Sequence, residues 1–168
     1  STILKWFYLK MSTGTLYVIA TPIGNLDDLS LRAVALLREM DLIVCEDTRR
    51  SIKLLNHYGI QRRLESYHEF NETEKAEQLA QKLQSGIRVA LISDAGTPTI
   101  SDPGYRLIRE CRLRGIPVLP VPGPSAAMAA LSASGLATDE FLFVGFLPAR
   151  GKARRKKLES LKSTIPTI

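Results

Sequence analysis

Cysteine is scarce in this chain, with only Cys45 and Cys111 among 168 residues, and histidine is limited to His57 and His68. The first scarcity excludes a disulfide-stapled scaffold. The two histidines lie eleven residues apart with no paired cysteines nearby, which excludes zinc-site spacing and places both in loops or at helix ends. Long hydrophobic runs are missing too. Residues 115–138 carry no charge, yet Pro117, Pro120, Pro122 and Pro124 interrupt them and the second half is mostly Ala, Ser and Gly, unlike a membrane span. At the start, Lys5 and Lys10 confine Trp6, Phe7, Tyr8 and Leu9 to an apolar run too short for a signal-peptide core. Met11 is the expected natural start, preceded by a tag or leader. These absences together imply a cytoplasmic protein with reduced thiols and neither membrane nor metal partner.

What is present is the composition of a soluble globular domain, 45% hydrophobic and 24% charged. A chain this long buries roughly 70% of the surface its unfolded form exposes, enough for a core without staples. The charge is uneven. Basic residues outnumber acidic ones 23 to 17, for a formal +6, and Arg150, Lys152, Arg154, Arg155, Lys156 and Lys157 supply six positives with no intervening acid. A neutral body with one basic segment fits either a local polyanion contact or a solvated helix face.

Apolar, β-branched runs alternate with segments of helical period, the pattern of repeated βαβ units. Strands are expected over 15–20, 42–45, 88–93, 117–120 and 141–146, and helices over 29–38, 49–57, 72–84, 104–114, 125–134 and 152–161. This predicts an α/β fold: a largely parallel five-stranded sheet with helices on both faces. Asn71 and Glu74 have the spacing of a capping box at the start of the 72–84 helix, which turns Leu79 and Leu83 inward. The expected organisation is a leader and N-terminal segment over 1–13, an α/β domain over 14–150, and a basic helix opening a truncated further domain over 151–168.

Ligands of open parallel sheets bind beyond the carboxyl ends of the strands, where loops meet and helix amino termini point outward. The least ordinary sequences of this chain fall there. Thr21, Pro22, Ile23, Gly24 and Asn25 follow the first strand, Glu46, Asp47, Thr48 and Arg49 the second, Asp94 to Pro98 the third, and Val121 to Ala126 the fourth. Each has a plain reading beside a functional one. Ile23 and Gly24 fit a ring-binding loop or an ordinary turn, and Asp94 fits a ligand acceptor or an Asx turn over Gly96. Ser125 fits a helix cap or a ligand contact, and Ala126 to Ala130 let a helix pack closely. Competing motifs fail on spacing. Five residues separate Gly145 from Gly151, with Ala153 where a phosphate loop has Ser or Thr, and Gly123 to Ala127 lacks the second glycine of a nucleophile elbow.

The segments TLYVIATPIGNLDD, DLIVCEDTRRS, SYHEFNE, ALISDAGTPTISDPG, VPGPSAA and FVGFLP together resemble the tetrapyrrole methylase superfamily, the class III S-adenosylmethionine-dependent methyltransferases. Within it they are most similar to the bacterial branch that 2'-O-methylates a cytidine of 16S ribosomal RNA. The resemblance runs from about Gly14 to the last residue. It implies the N-terminal domain of a two-domain fold, S-adenosylmethionine as cofactor, 16S rRNA or the small ribosomal subunit as partner, and a homodimer. Carried over by position, it assigns Ile23, Gly24, Asp94, Gly96, Thr97, Ser125 and Ala126 to the cofactor. Pro22 and Ala95 depart from the glycine-rich first loop and the GDP sequence of relatives.

A sulfonium donor already carries an electrophilic methyl group, so the protein has chiefly to align the reacting atoms and exclude water. A ribose hydroxyl must also lose its proton, for which Glu46, Asp47, Asp94 and Asp102 are candidate carboxylates that the sequence does not choose among, a base in the expected further domain being the alternative. Arg49 and the Arg150, Lys152, Arg154, Arg155, Lys156 and Lys157 run are expected at RNA phosphates. Two other readings remain open at this stage: a methylase of tetrapyrroles or other small carbon acids, and a non-catalytic module binding an anion or the ribosome.

Overall fold

A computed structural model describes residues 13–162. The expected leader and the last residues of the expected truncated domain lie outside this range. Two compact units divide between Pro124 and Ser125. The first is an α/β sandwich of β1 (Leu16–Ile19), α1 (Leu31–Glu39), β2 (Leu42–Cys45), α2 (Thr48–His57), β3 (Leu64–Ser66), α3 (Glu72–Gln84), β4 (Val89–Ile92), α4 (Tyr105–Leu113) and β5 (Val118–Val121). The second holds α5 (Ala126–Ala133) and α6 (Gly151–Leu161).

All five strands run parallel, in the order β3-β2-β4-β1-β5. The chain therefore steps one way from β1 through β2 to β3, then back through β4 to β5. Because parallel crossovers are right-handed, the two directions place their helices on opposite faces. The core divides accordingly. Leu42, Val44, Val89 and Leu91 pack with Leu79 and Leu83 of α3 and Leu107 of α4. Their strand neighbours Ile43, Cys45, Ala90 and Ile92 pack with Leu37 of α1 and Leu55 of α2. The alternation is the two-residue period of a strand buried on both sides. Cys45 of β2 and Cys111 of α4 pack on opposite faces of the sheet, both buried and free.

One expected strand is corrected. Residues 142–148 are irregular, and the fifth strand of the sheet is Leu64–Ser66, paired with Ile43, Val44 and Cys45. Glu65 bonds Lys82 at 2.9 Å and Arg63 at 3.0 Å, charges suited to an edge strand that must not recruit another chain. Pro120 sits in β5, the opposite edge, where a missing N–H is tolerated.

Helix starts show the local chemistry. Ser30 Oγ accepts from Ala33 N at 3.1 Å and caps α1. The capping box expected at α3 does not form. Asn71 is in a helical rather than extended conformation, its side chain accepts from His68 N at 2.9 Å, and Glu74 is bonded to Gln78. The expected inward pair is present, since Leu79 and Leu83 are buried with Ala76 and Ala80. Gly104, before α4, has no side chain to cap with, and the buried Tyr67 hydroxyl accepts from Leu107 N at 3.2 Å instead. No helix among the described residues is long and apolar enough to cross a membrane.

Candidate functional site

The connections leaving β1 and β4 run to opposite faces although the two strands are neighbours, so a crevice opens beyond their carboxyl ends. Hydrogen bonds join the loops on either side. Thr21 N donates to Gly96 O at 2.9 Å and Gly96 N to Thr21 O at 3.0 Å. The buried Thr21 hydroxyl donates to Ser93 O at 3.0 Å, and Ser93 Oγ donates to Gly96 O at 2.9 Å. Thr97 Oγ1 donates to Pro124 O at 3.0 Å, adding the loop after β5. Gly96 has φ of +90°, and a Cβ there would lie 3.4 Å from Ile23 Cγ2, so the turn requires glycine and keeps backbone close to the Ile23 side chain. Ile23 is 38% exposed. A Cβ on Gly24 would meet nothing within 4 Å, so space rather than packing adjoins that residue.

Asp94 ties in the loop after β2. Its Oδ1 accepts from Asp47 N at 3.1 Å, and its Oδ2 lies 3.5 Å from Arg50 Nη1. Asp47 caps α2 through Arg49 N at 2.9 Å and pairs with the Arg49 guanidinium at 2.8 Å. Those bonds hold its carboxyl down at about 2. Asp47 and Arg49, expected as a base candidate and an RNA contact, thus engage each other. Arg50, which falls in the DLIVCEDTRRS segment but has no role assigned from it, is the guanidinium beside Asp94; the signal needed to find it is the β2-β4 neighbour relation.

A cleft of about 350 Å³ adjoins this cluster, lined by Glu46, Glu69, Glu72, Asp102, Gly104 and Tyr105 among others. Glu72 is held by Arg106 at 2.9 Å. Burial, then the charges of Glu46 and Asp94, push the Asp102 carboxyl up to about 6. The segment leading to it contains Thr99 with φ of 73° and Ser101 with φ of 64°, left-handed conformations costing of order 1 kcal/mol each for residues other than glycine. Ile23, Gly24, Asp94, Gly96 and Thr97 are therefore brought together, with Glu46 and Asp102 in the adjoining cleft.

The remaining expected residues belong to the second unit. Ser125 precedes α5 in an extended conformation and makes no capping hydrogen bond, which corrects its reading as a cap; Ala126 opens the helix. Arg150 precedes α6, and Lys152, Arg154, Arg155, Lys156 and Lys157 lie on it, all exposed and without an ion pair among the described residues. Leu158 and Leu161 of α6 line an apolar hollow with Leu142, Phe143 and Leu147.

A family model described as Tetrapyrrole (Corrin/Porphyrin) Methylases matches residues 15–168. The chain belongs to the tetrapyrrole methylase family. Among curated relatives, a "Ribosomal RNA small subunit methyltransferase I" of Pasteurella multocida is 57% identical over 156 residues, covering 93% of the chain and 56% of the relative. One of the same name from Haemophilus influenzae is 56% identical, covering 93% and 55%. The chain thus spans just over half the length of these relatives. Among solved structures, uroporphyrin-III-C-methyltransferase from Thermus thermophilus superposes with a TM-score of 0.55 at 23% identity, over 74% of this chain and 54% of that one, a likeness of fold.

Proposed function

We propose that this methylase is the cofactor-binding part of an S-adenosylmethionine-dependent enzyme that 2'-O-methylates a cytidine ribose in 16S ribosomal RNA. The observation that carries the reading is 57% identity to a ribosomal RNA small subunit methyltransferase, within a family match that spans every loop of the crevice. The crevice suits an adenosyl sulfonium donor: it combines an apolar side chain at Ile23, close-approaching backbone at Gly96 and carboxylates at Asp94 and, in the adjoining cleft, Asp102. Ile23, Gly24, Asp94, Gly96 and Thr97 would hold the cofactor; Ser125 and Ala126 join them on the family resemblance. When bound, the cofactor supplies an electrophilic methyl group.

The protein's share of the work is positional. The Thr21, Ser93, Gly96 and Thr97 hydrogen bonds fix the loops before any ligand arrives, which lowers the ordering cost of binding. The cations of α6, without an ion pair among the described residues, suit RNA phosphates, where they position the strand rather than read its bases. The homodimer enters the same proposal on the family resemblance, and the cytoplasmic location on the scarcity of cysteine. The test is to map methylation on small-subunit RNA from cells with and without the full-length gene. Loss of one cytidine 2'-O-methyl group is expected, and an unchanged map overturns the reading.

A further inference from the structure

This inference rests on the 2'-O-methylation reading and names a side chain that positions the acceptor nucleotide. The sheet order divides the crevice. The loops after β1, β4 and β5 are joined by the Thr21, Gly96 and Thr97 hydrogen bonds and form the cofactor side. The loop after β3 leaves the sheet two strands beyond β4, about 10 Å away. What that loop presents is therefore free to meet the acceptor.

At its tip is Phe70, 96% exposed and the most exposed large apolar side chain among the described residues. The backbone beneath it is fixed. His68 N donates to Asn71 Oδ1 at 2.9 Å and Asn71 N donates to His68 O at 3.0 Å, closing a turn around Glu69 and Phe70. The His68 ring stands edge-on to Phe70 with centroids 6.1 Å apart. Either side of the turn is anchored to the start of α4, because the Tyr67 hydroxyl accepts from Leu107 N at 3.2 Å and Glu72 pairs with Arg106 at 2.9 Å. An aromatic ring held out in water by a fixed turn offers a flat apolar face to a planar partner. Glu69 beside it is exposed and lines the adjoining cleft. Its charge turns phosphate away, so the part of a nucleotide that can settle on Phe70 is the uncharged base.

We propose that Phe70 is the stacking platform for the base of the nucleotide whose ribose is methylated. A 2'-hydroxyl reaches a donor inside a crevice when its nucleotide leaves the stack of its neighbours, and an aromatic side chain replaces the stacking given up in the strand. Phe70 is thus a positioning residue: it holds the base, and through the base the 2'-oxygen.

The experiment uses the full-length protein and its Phe70→Ala, Phe70→Leu and Phe70→Trp variants. It measures kcat/KM for small-subunit RNA at saturating S-adenosylmethionine, with cofactor affinity read by calorimetry. Phe70→Ala and Phe70→Leu should lower kcat/KM roughly 5–150-fold, the worth of one base stack, while Phe70→Trp stays within about threefold of the unaltered protein. Melting temperatures should be unchanged, since the ring is exposed. Phe70→Ala within about twofold of normal, less than any base stack is worth, overturns the assignment. So does Phe70→Leu performing like the unaltered protein, which makes the contact a plain apolar one with another part of the protein or a second copy. A matching loss of cofactor affinity overturns it too, by placing the ring against the cofactor. Absence of any transfer by the unaltered protein overturns instead the functional reading beneath it.

Discussion

The acids around the crevice carry the same functional group in different states, and the difference comes from what each one touches. Asp47 is stabilised as an anion by Arg49 and by a backbone N–H, whereas Asp102 is held by burial and neighbouring charge with no compensating donor among the described residues. The stability consequence has a definite sign. A carboxyl raised from its usual value near 3.9 to about 6 favours the neutral form in the fold. Its contribution is therefore fully present below about pH 4 and is lost as pH rises through 6. Asp102→Asn removes the ionised group and should stabilise the protein at pH 8 by about 1 kcal/mol after allowing for solvent screening. That raises the melting temperature by roughly 2–4 °C, with little gain at pH 4. Thermal unfolding followed by circular dichroism at the two pH values checks it, and a lower melting temperature at pH 8 contradicts it. Asp94 is legible from its place after an apolar strand and before Gly96. The state of Asp102 is not legible, because it depends on Glu46 and Asp94 from two other parts of the chain, and Arg50 meets Asp94 only because β2 and β4 are neighbours.

Among the elements, α6 has the most one-sided chemistry. Five of its eleven residues are cationic, its only acid is Glu159, and none of the five is paired among the described residues. If it meets RNA, neutralising Arg154, Arg155, Lys156 and Lys157 together should weaken binding and reduce the slope of log affinity against log salt by about 0.7 per lost phosphate contact. Cofactor affinity should stay as it was. An unchanged slope in a filter-binding titration would make the basic face a solvating surface only. The helices were largely legible, since stripes such as Ala76, Leu79, Ala80 and Leu83 announce a 3.6-residue period. The β3 strand was not: it has three residues, of which only Leu64 is apolar, and its partner β2 defines it. The converse error at 141–146 has the same origin, because an apolar run records a need for burial without saying that a strand pair supplies it.

In the first unit as a whole, the order β3-β2-β4-β1-β5 turns four separate loop sequences into neighbours. Repeated βαβ pattern foretold a parallel sheet, but strand order is a property of long-range packing that no local window contains. The reversal of direction after β3 opens the crevice between β1 and β4, and the Thr21–Gly96 bridge sets the spacing of its two sides. On this account the crevice is preformed and accepts the adenosyl donor without rebuilding its loops. A crystal structure of the full-length protein with S-adenosylhomocysteine tests that most directly. The account predicts the nucleoside and amino-acid portions between the Thr21–Gly24 and Asp94–Thr97 loops, with the Thr21 to Gly96 hydrogen bonds intact. Ligand density elsewhere, or a crevice whose loops must separate to admit it, would contradict it.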